Sequence, residues 1–204
     1  MKPIEKLEAG LSTLGYQPHP SQIKALIHFV ELVVAYNEQV NLTAITGIDD
    51  AIDLHILDSL TLKPWLDALP QKASILDIGC GAGIPSIPIA IMYPHFRLTL
   101  LDARNKKITA CQSFIDALGL LDIHAYHGRI EQWSSQDHYD LLLSRAVTQC
   151  KQMLKWVKHL QYKKLLIMKG QNPEAELALV DNQSFTVTKV HIPDRDDQRH
   201  IVVF

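Results

Sequence analysis

Asp77, Gly79, Gly81 and Gly83 form the most informative pattern in the chain, within the stretch ILDIGCGAGIP at residues 75–85. The apolar run before the glycines predicts a strand, and the residues after them predict the start of a helix. Glycine lets the backbone turn sharply and approach a ligand closely, and the first turn of a helix presents free N–H groups. The pattern is therefore typical of a binding loop for a nucleotide-like cofactor.

Two cofactors are compatible with that loop. A dinucleotide site needs G-x-G-x-x-G, so that pyrophosphate lies on the helix N-terminus. Here the third position of that pattern falls on Ile84, and Pro85 removes one N–H group. S-adenosylmethionine carries no phosphate, and the form D-x-G-x-G-x-G at 77–83 resembles the first motif of Rossmann-like methyltransferases. We therefore favour S-adenosylmethionine, with NAD and a purely structural glycine turn as the alternatives.

Three charged residues lie at the ends of predicted strands that come after the glycine loop in the chain. Asp102 ends the next predicted strand, where a carboxylate can accept hydrogen bonds from both hydroxyls of a ribose. NAD sites use the same device, so Asp102 predicts an adenosine ligand without choosing between the two cofactors. Arg145 and Lys169 end later strands, at the edge where open α/β sheets bind ligands. We predict that these two residues position the reacting groups; the alternatives are a paired arginine and a solvated lysine.

The pattern of strands and helices predicts a scaffold that brings these residues together. From residue 74 onward, short apolar runs alternate with helical stretches, which implies a parallel sheet covered on both faces. Two last strands joined by Pro193 and a charged turn predict an antiparallel pair. The predicted fold is α/β: a Rossmann-like S-adenosylmethionine-dependent methyltransferase fold with a seven-stranded, mostly parallel sheet and an antiparallel C-terminal strand. The predicted strands are 74–79, 97–102, 122–127, 139–144, 164–170, 184–192 and 199–204, and the helices between them are 85–93, 106–118 and 148–160.

The first 65 residues have helical periodicity instead. We predict a helical N-terminal extension at 1–65, packed on a methyltransferase domain at 66–204. Ser21 is the expected N-cap of the second helix. Asn41, in the loop that follows this helix, is expected to fix the loop by bonding to backbone.

A third amphipathic piece from about residue 49 carries His55 and Asp58. Because these two residues lie three apart, we expect them to cap the helix or to pair with each other. A role facing the active site is the alternative for both residues.

The end of the fourth predicted strand bears on the reaction. Residues 143–146 lack the Asn/Asp-Pro-Pro-aromatic motif of many enzymes that methylate exocyclic amines. Methylation at cytosine C5 needs a cysteine nucleophile, and we expect Cys80 and Cys150 to be plain loop or buried cysteines. Guanine N7 has a free lone pair and can attack a methyl sulfonium without losing a proton. An enzyme for that reaction needs mainly positioning.

Several segments together resemble one family. Pro85 and Pro88 lie together at the start of a predicted helix, a rare pair that the first turn tolerates. This double-proline form resembles the bacterial small-subunit ribosomal RNA methyltransferase G family, also called glucose-inhibited division protein B, and the likeness runs from about residue 20 to residue 204. Further segments resemble that family in the same order: Asn37 to Thr43, His55 to Ser59, Leu101-Asp102, Ser144 to Ala146, Lys169 to Gln171, and Arg199 to Val203.

The resemblance implies N7 methylation of one guanine in 16S ribosomal RNA with S-adenosylmethionine as cofactor. It implies cofactor contacts at Gly79, Ile84, Ile130, Glu131 and Arg145, with the adenine at the Ile130-Glu131 turn. With the glycine loop and the ribose acid, the expected cofactor-binding set is Gly79, Gly81, Gly83, Ile84, Asp102, Ile130, Glu131 and Arg145.

The chain departs from that family at several positions. Cys80 stands where the resemblance leads us to expect Thr or Ser, and Tyr36 stands where the family often has Trp. At position 82 we expect Pro or Ala, and the chain has Ala. Val147 stands where we expect an aromatic residue, so a stacking residue for the target base is left open.

The net charge of the chain and its distribution indicate whether a nucleic acid is the partner. The chain of 204 residues has a net charge of −2, which read whole argues against a nucleic-acid binder. Its distribution is uneven: residues 1–62 hold three lysines and eight acids, whereas residues 141–173 hold seven bases and no acid. Such asymmetry favours one oriented docking face. Three lysines fall on one helical face and predict RNA phosphate contacts, with a solvated face as the alternative: Lys151, Lys155 and Lys158.

The expected partner is 16S ribosomal RNA or the small ribosomal subunit. Two other functions stay open, a small-molecule methyltransferase and a non-catalytic cofactor-binding module of ribosome assembly. The ten histidines show no metal-ligand spacing, so no metal is expected. Three cysteines without a CxxC pattern, and the lack of a signal peptide or membrane segment, predict a cytoplasmic protein. Nothing in the sequence requires more than a monomer.

Overall fold

A computed structural model of the chain describes residues 2–134, 138–170, 173–181 and 183–204. Gln171, part of one family-like segment, lies outside the described residues. Seven strands form one sheet in the order β3-β2-β1-β4-β5-β7-β6. The strands are Ser74–Ile78 (β1), Arg97–Asp102 (β2), Ile123–His127 (β3), His138–Arg145 (β4), Gln161–Lys169 (β5), Thr186–His191 (β6) and Gln198–Val203 (β7).

The first five strands pair in parallel, and β7 runs antiparallel to both of its neighbours. This confirms the predicted seven-stranded, mostly parallel sheet with an antiparallel strand at the C-terminal end. The central strands are continuous apolar runs because both faces of the sheet are covered. The edge strand β6 is mostly exposed, as expected for an edge rich in Thr, Lys and His.

The sheet is crossed by helices that begin after β1, β2 and β4. They are Ser86–Met92 (α6), Asn105–Leu118 (α7) and Cys150–Val157 (α8). Helix α7 is capped at its C-terminus by Gly119, whose φ of 63° is left-handed. Helix α8 is shorter than the predicted 148–160, because residues 146–149 form a loop and β5 already begins at Gln161.

The N-terminal part of the chain is helical, and no described helix of the chain is both long enough and apolar enough to cross a membrane. Helix α2 packs against α7, where Phe114 makes edge-on ring contacts with Phe29 and Tyr36 at 5.9 and 5.6 Å. These helices and the sheet therefore share one hydrophobic core. The helices are Pro3–Thr13 (α1), Pro20–Asn37 (α2), Ile48–Ala51 (α3), Asp58–Leu60 (α4), Lys63–Asp67 (α5) and Glu174–Leu177 (α9, near the C-terminus), with a π-helix at Ile52–Leu57 between α3 and α4.

Two local predictions in the helical segment are wrong. The N-cap of α2 is His19, not Ser21, because Pro20 occupies the first helical position, where a missing N–H costs nothing. The His19 Nδ1 atom accepts the Ser21 N–H at 3.3 Å.

The loop after α2 is fixed by Asn37 instead of Asn41. The Asn37 Oδ1 atom accepts the N–H groups of Leu42 and Thr43 at 2.7 and 3.0 Å, and its Nδ2 donates to the Thr43 carbonyl at 3.0 Å. Asn41 is exposed. Asn37 takes this role because it lies at the buried end of α2, directly beneath the loop it bonds.

Candidate active site

The glycine loop connects β1 to α6 and lies against the end of β2. Gly79, Gly81 and Gly83 all have positive φ, at 74°, 59° and 80°. The N–H groups of Gly79 and Cys80 both donate to the Leu101 carbonyl, at 2.7 and 3.1 Å. The loop thus folds back over the sheet edge through three left-handed residues, a path that glycine permits and other residues resist.

The three glycines differ in what surrounds them. A Cβ atom on Gly79 would lie 2.4 Å from Cγ2 of Val147, and one on Gly83 would lie 2.4 Å from Cδ1 of Ile87. A Cβ atom on Gly81 would have no neighbour within 4 Å among the described residues. Gly79 and Gly83 are therefore crowded by side chains of the protein, whereas Gly81 borders open space that a ligand can enter.

Asp102 joins the end of β2 to this loop. Its Oδ2 atom accepts the Gly81 N–H at 3.0 Å, and its Oδ1 atom accepts the Arg104 N–H at 2.8 Å. The side chain is half-buried. Each carboxylate oxygen has a second lone pair, so both oxygens can still accept a hydrogen bond from a ligand.

Asp77 lies beneath the loop in β1 and is buried. Ser86 Oγ donates to its Oδ2 at 2.6 Å, while its Oδ1 has no hydrogen-bond partner among the described residues. Burial raises the pKa of the Asp77 carboxyl to about 7, and the hydrogen bond from Ser86 opposes that rise. A buried acceptor without a partner is unusual in proteins, so this oxygen fits a ligand that brings a donor.

A small cavity of about 110 Å³ adjoins Asp102 at the carboxyl ends of the parallel strands. Four residues of the predicted cofactor set line it together: Gly79, Asp102, Ile130 and Glu131. The remaining wall is largely apolar and is formed by Ile78, Leu101, Ala103, Gly128, Arg129, Val147 and Trp156. The side chain of Ile84 lies in the main core instead, so any contribution of Ile84 to this site comes from its backbone.

Arg145 turns from the end of β4 toward the helical segment. Its Nη2 atom donates to the Leu54 carbonyl at 2.8 Å and lies 3.2 Å from Asp58 Oδ2. Its Nη1 atom is buried and has no partner among the described residues. The arginine therefore connects the fourth strand to the N-terminal helices and does not line the cavity beside Asp102.

Asp58 is shared by two arginines. Besides Arg145, the Arg199 Nε atom lies 3.4 Å from Asp58 Oδ1. Burial raises the pKa of the Asp58 carboxyl, and the two guanidinium charges oppose that rise. The buried acid thus holds two cations from β4 and β7 near the end of the sheet where the glycine loop lies.

His55 and Asp58 do not form the pair that the sequence predicts as one possibility for them. The Nε2 atom of His55 lies 3.4 Å from Thr43 Oγ1, and its Nδ1 atom is buried without a partner among the described residues. Burial lowers the pKa of His55 to about 4, and the charge of Arg145 adds to the shift. The π-helix at Ile52–Leu57 widens the turn and places the two side chains against different neighbours.

Lys169 bonds to the loop that follows β4. Its Nζ atom donates to the Thr148 carbonyl at 2.7 Å and forms an ion pair with Glu176 Oε1 at 2.7 Å. Glu176 in turn accepts the N–H of Cys150, the first residue of α8. Lys169 and Glu176 therefore fix the loop 146–149, which places Val147 over Gly79.

The three predicted RNA-binding lysines differ in their surroundings. Lys155 and Lys158 are exposed. Lys151 is half-buried and forms an ion pair with Asp181, with Nζ and Oδ2 3.0 Å apart. Among the residues that the structure describes, no group of three or more His, Cys, Asp or Glu side chains could hold a metal ion.

One residue near the site was missed from sequence. Lys107 in the first turn of α7 is buried, and its Nζ atom donates to the Leu42 carbonyl in the loop after α2. Burial lowers the pKa of Lys107, and the nearby charge of Asp102 opposes the shift. A signal was present, since Lys107 shares one face of α7 with Cys111 and Phe114, four and seven residues on.

The fold has known counterparts. The chain is similar to an S-adenosylmethionine-dependent methyltransferase from Aquifex aeolicus, with a TM-score of 0.58 and 17% identity over 76% of this chain and 94% of that one. It is also similar to precorrin-6y C5,15-methyltransferase from Geobacter metallireducens, with a TM-score of 0.55 and 12% identity over 71% of this chain and 87% of that one. The fold is thus that of the Rossmann-like S-adenosylmethionine-dependent methyltransferases.

Comparison of sequences identifies the family, which the fold alone does not. The family described as GidB, rRNA small subunit methyltransferase G, matches residues 22–202. Proteins named ribosomal RNA small subunit methyltransferase G from Yersinia pestis (strain Pestoides F) and Yersinia pseudotuberculosis (serotype O:1b) are each 32% identical over 98% of both lengths. The chain belongs to this family, which confirms the resemblance predicted from its ordered motifs, and it is a methyltransferase of small-subunit ribosomal RNA.

Proposed function

We propose that the chain transfers a methyl group from S-adenosylmethionine to N7 of one guanine in 16S ribosomal RNA. The observation that carries the proposal is the hydrogen bond from the Gly81 N–H to Asp102, beside open space and an apolar cavity. Open α/β sheets bind ligands at the carboxyl ends of their strands, and both residues lie there. Small ribosomal subunits are assembled in the cytoplasm, so the proposal places the protein there.

The residues at this edge fit the cofactor part by part. Asp102 offers two carboxylate oxygens to the ribose hydroxyls, and the turn at Ile130 and Glu131 offers an apolar wall to the adenine. The loop at Gly79, Gly81 and Gly83 leaves space for the amino-acid part. The unpartnered Oδ1 atom of Asp77, beneath that loop, fits the ammonium group of an amino acid.

When bound, S-adenosylmethionine supplies an electrophilic methyl group on its sulfonium sulfur. Guanine N7 offers a free lone pair, so the reaction requires no residue that removes a proton. Binding, orientation and exclusion of water are then the tasks of the protein. His55 and Asp58 fit this view, since their described contacts are to other parts of the protein.

In this proposal Arg145 and Lys169 are positioning residues. Arg145 bonds the end of β4 to the helical segment. Lys169 lies in β5, two strands away from β1 and Gly79, and bonds the carbonyl of Thr148. Together they fix both ends of the loop 146–149, which stands beside the cofactor loop. That loop is where we place the approach of the target base.

The charge distribution supports an oriented encounter with RNA. Lys155 in α8 and Lys158 at its C-terminal end are exposed, on the helix that follows the loop 146–149. Lys151 can exchange its exposed partner Asp181 for a phosphate, since an ion pair between exposed groups is weak.

Transfer of a labelled methyl group tests the substrate. The purified protein is incubated with labelled S-adenosylmethionine and small subunits from a strain that lacks the enzyme, and the RNA species are separated. We expect label in 16S RNA. Label in transfer RNA or in a small molecule would contradict the proposal, and comparison of subunits with naked 16S RNA identifies the preferred form of the substrate.

A further inference from the structure

Two thiols meet directly behind the glycine loop. Cys80 lies in the loop between Gly79 and Gly81, and Cys111 lies in α7. Their sulfur atoms are 4.0 Å apart, both side chains are buried, and both cysteines are free. The Cys111 thiol also donates to the Gly81 carbonyl at 3.3 Å. The pair therefore joins the loop that carries the open ligand space to the helix behind it.

We propose that Cys80 and Cys111 are a site of reversible oxidation, at which a peroxide forms a disulfide that weakens cofactor binding. The disulfide itself depends only on the two cysteines. Its effect on the cofactor rests on the proposed function, because the same loop is the one that we assign to S-adenosylmethionine.

The chemistry balances with one molecule of hydrogen peroxide. One thiolate attacks a peroxide oxygen and becomes a sulfenic acid, while the other oxygen leaves as water. The second thiol then attacks the sulfenic sulfur, so that a sulfur–sulfur bond forms and the second oxygen leaves as water. In total, the two thiols lose two electrons and two protons, and the peroxide becomes two water molecules.

Geometry explains why oxidation would change the loop. A disulfide requires a sulfur–sulfur distance of about 2.05 Å, so the two sulfur atoms must approach each other from their present 4.0 Å. The Cys111 sulfur would also lose the hydrogen that it donates to Gly81. Because Gly81 holds Asp102 through its N–H, a shift of Cys80 moves both groups that we assign to the cofactor.

Burial makes the two thiols slow to react with peroxide. Cys80 is 1% exposed, and its contact with Cys111 together with burial raises the pKa of the Cys80 thiol. Thiolates, not thiols, react with peroxide. Oxidation therefore requires the glycine loop to open, and a cofactor bound on that loop would slow it.

Peptide mapping tests the site. The reduced protein is treated with hydrogen peroxide, quenched with catalase and digested with trypsin under non-reducing conditions. We expect a mass loss of two hydrogens and one linked pair of peptides, residues 73–97 with residues 108–129, both reversed by dithiothreitol. Cys80→Ser and Cys111→Ser should each abolish the linked pair, while Cys150→Ser, which removes a buried cysteine in α8, should preserve it.

Calorimetry tests the consequence. We expect the oxidised protein to bind S-adenosylhomocysteine at least tenfold more weakly than the reduced protein, and the bound ligand to slow disulfide formation at least fivefold. Thiol loss without the linked peptides would overturn the site. A linked pair with affinity changed less than threefold would overturn its effect on the cofactor. Failure of the reduced protein to bind the ligand would contradict the proposed function as well, while the peptide map would still decide whether the disulfide forms.

Discussion

The Oδ2 atom of Asp102 accepts the backbone N–H of Gly81 at 3.0 Å, across the gap between two neighbouring strand ends. This contact holds the acid of β2 and the open glycine of the loop after β1 in one fixed arrangement. Asp102 is thereby oriented before any ligand arrives, and preorganisation of this kind reduces the ordering cost of binding. The proposed binding of the cofactor depends on this pair.

Replacing Gly81 with Val should abolish cofactor binding while the fold is retained. A branched side chain would fill the open space at Gly81 and strain a backbone with φ of 59°, at a cost of about 1–2 kcal/mol. Gly119→Val is a matched control, since Gly119 has φ of 63° and equally open space at the end of α7. Both variants should lose similar stability in urea, and only Gly81→Val should lose affinity by calorimetry. Equal affinity in the two variants would contradict the position of the site.

Replacing Asp77 with Asn should raise the stability of the ligand-free protein and lower its affinity for the cofactor. Burial raises the pKa of Asp77 to about 7 from an ordinary value of 3.8, so the native state loses stability as pH rises from about 4 to about 7. Removing the charge should therefore stabilise the ligand-free protein at pH 8, on the order of 4 kcal/mol, and by less at pH 5. Denaturation at both pH values measures this. Cofactor affinity should fall at least tenfold, and a stability difference independent of pH would refute the argument.

Replacing Lys169 with Met should slow methyl transfer without changing cofactor affinity. The variant keeps most of the side-chain length but loses the hydrogen bond to the Thr148 carbonyl and the ion pair with Glu176. Because these contacts fix one loop, Glu176→Gln should slow the reaction in the same way, and the double variant should be no worse than the slower single one. We expect roughly a tenfold loss of kcat for Lys169→Met. Additive losses would mean that the two residues act separately.

Reversing the charges of Lys155 and Lys158 should weaken RNA binding and flatten its dependence on salt. Each lost phosphate contact lowers the slope of log affinity against log salt by about 0.7–0.9. Adding Lys151→Glu should change the slope further only if Lys151 leaves its partner Asp181 for the RNA. Lys24→Glu, an exposed lysine of α2 in the acidic segment, serves as the control. Filter binding at several salt concentrations measures this slope. An unchanged slope would exclude the lysine face from the RNA interface.

Sequence alone predicted those parts of the molecule that depend on local pattern. The glycine loop follows from conformations that few other residues adopt, and the acid at the end of β2 follows from its position at the carboxyl end of an apolar strand. The antiparallel β7 followed from a charged turn between two apolar runs. The division of the chain at residue 65 stays a prediction, although the helices and the sheet share a core.

The features that sequence could not give depend on partners distant in the chain. Arg145 finds Asp58 only once the helical segment folds over the end of β4. A π-helix turns His55 away from Asp58, and no periodicity argument anticipates that inserted residue. Helix α8 begins late because Lys169 and Glu176 hold the residues before it in a loop.

The proposed target of methylation is N7 of one guanine. Methyl groups at guanine N7 make the RNA chain cleavable by borohydride followed by aniline, whereas methyl groups on exocyclic amines do not. Small subunits from a strain lacking the enzyme are methylated by the purified protein, and their 16S RNA is then cleaved and mapped by primer extension. We expect cleavage at one guanine, dependent on the protein and on S-adenosylmethionine. Methylated 16S RNA that resists cleavage would contradict methylation at N7.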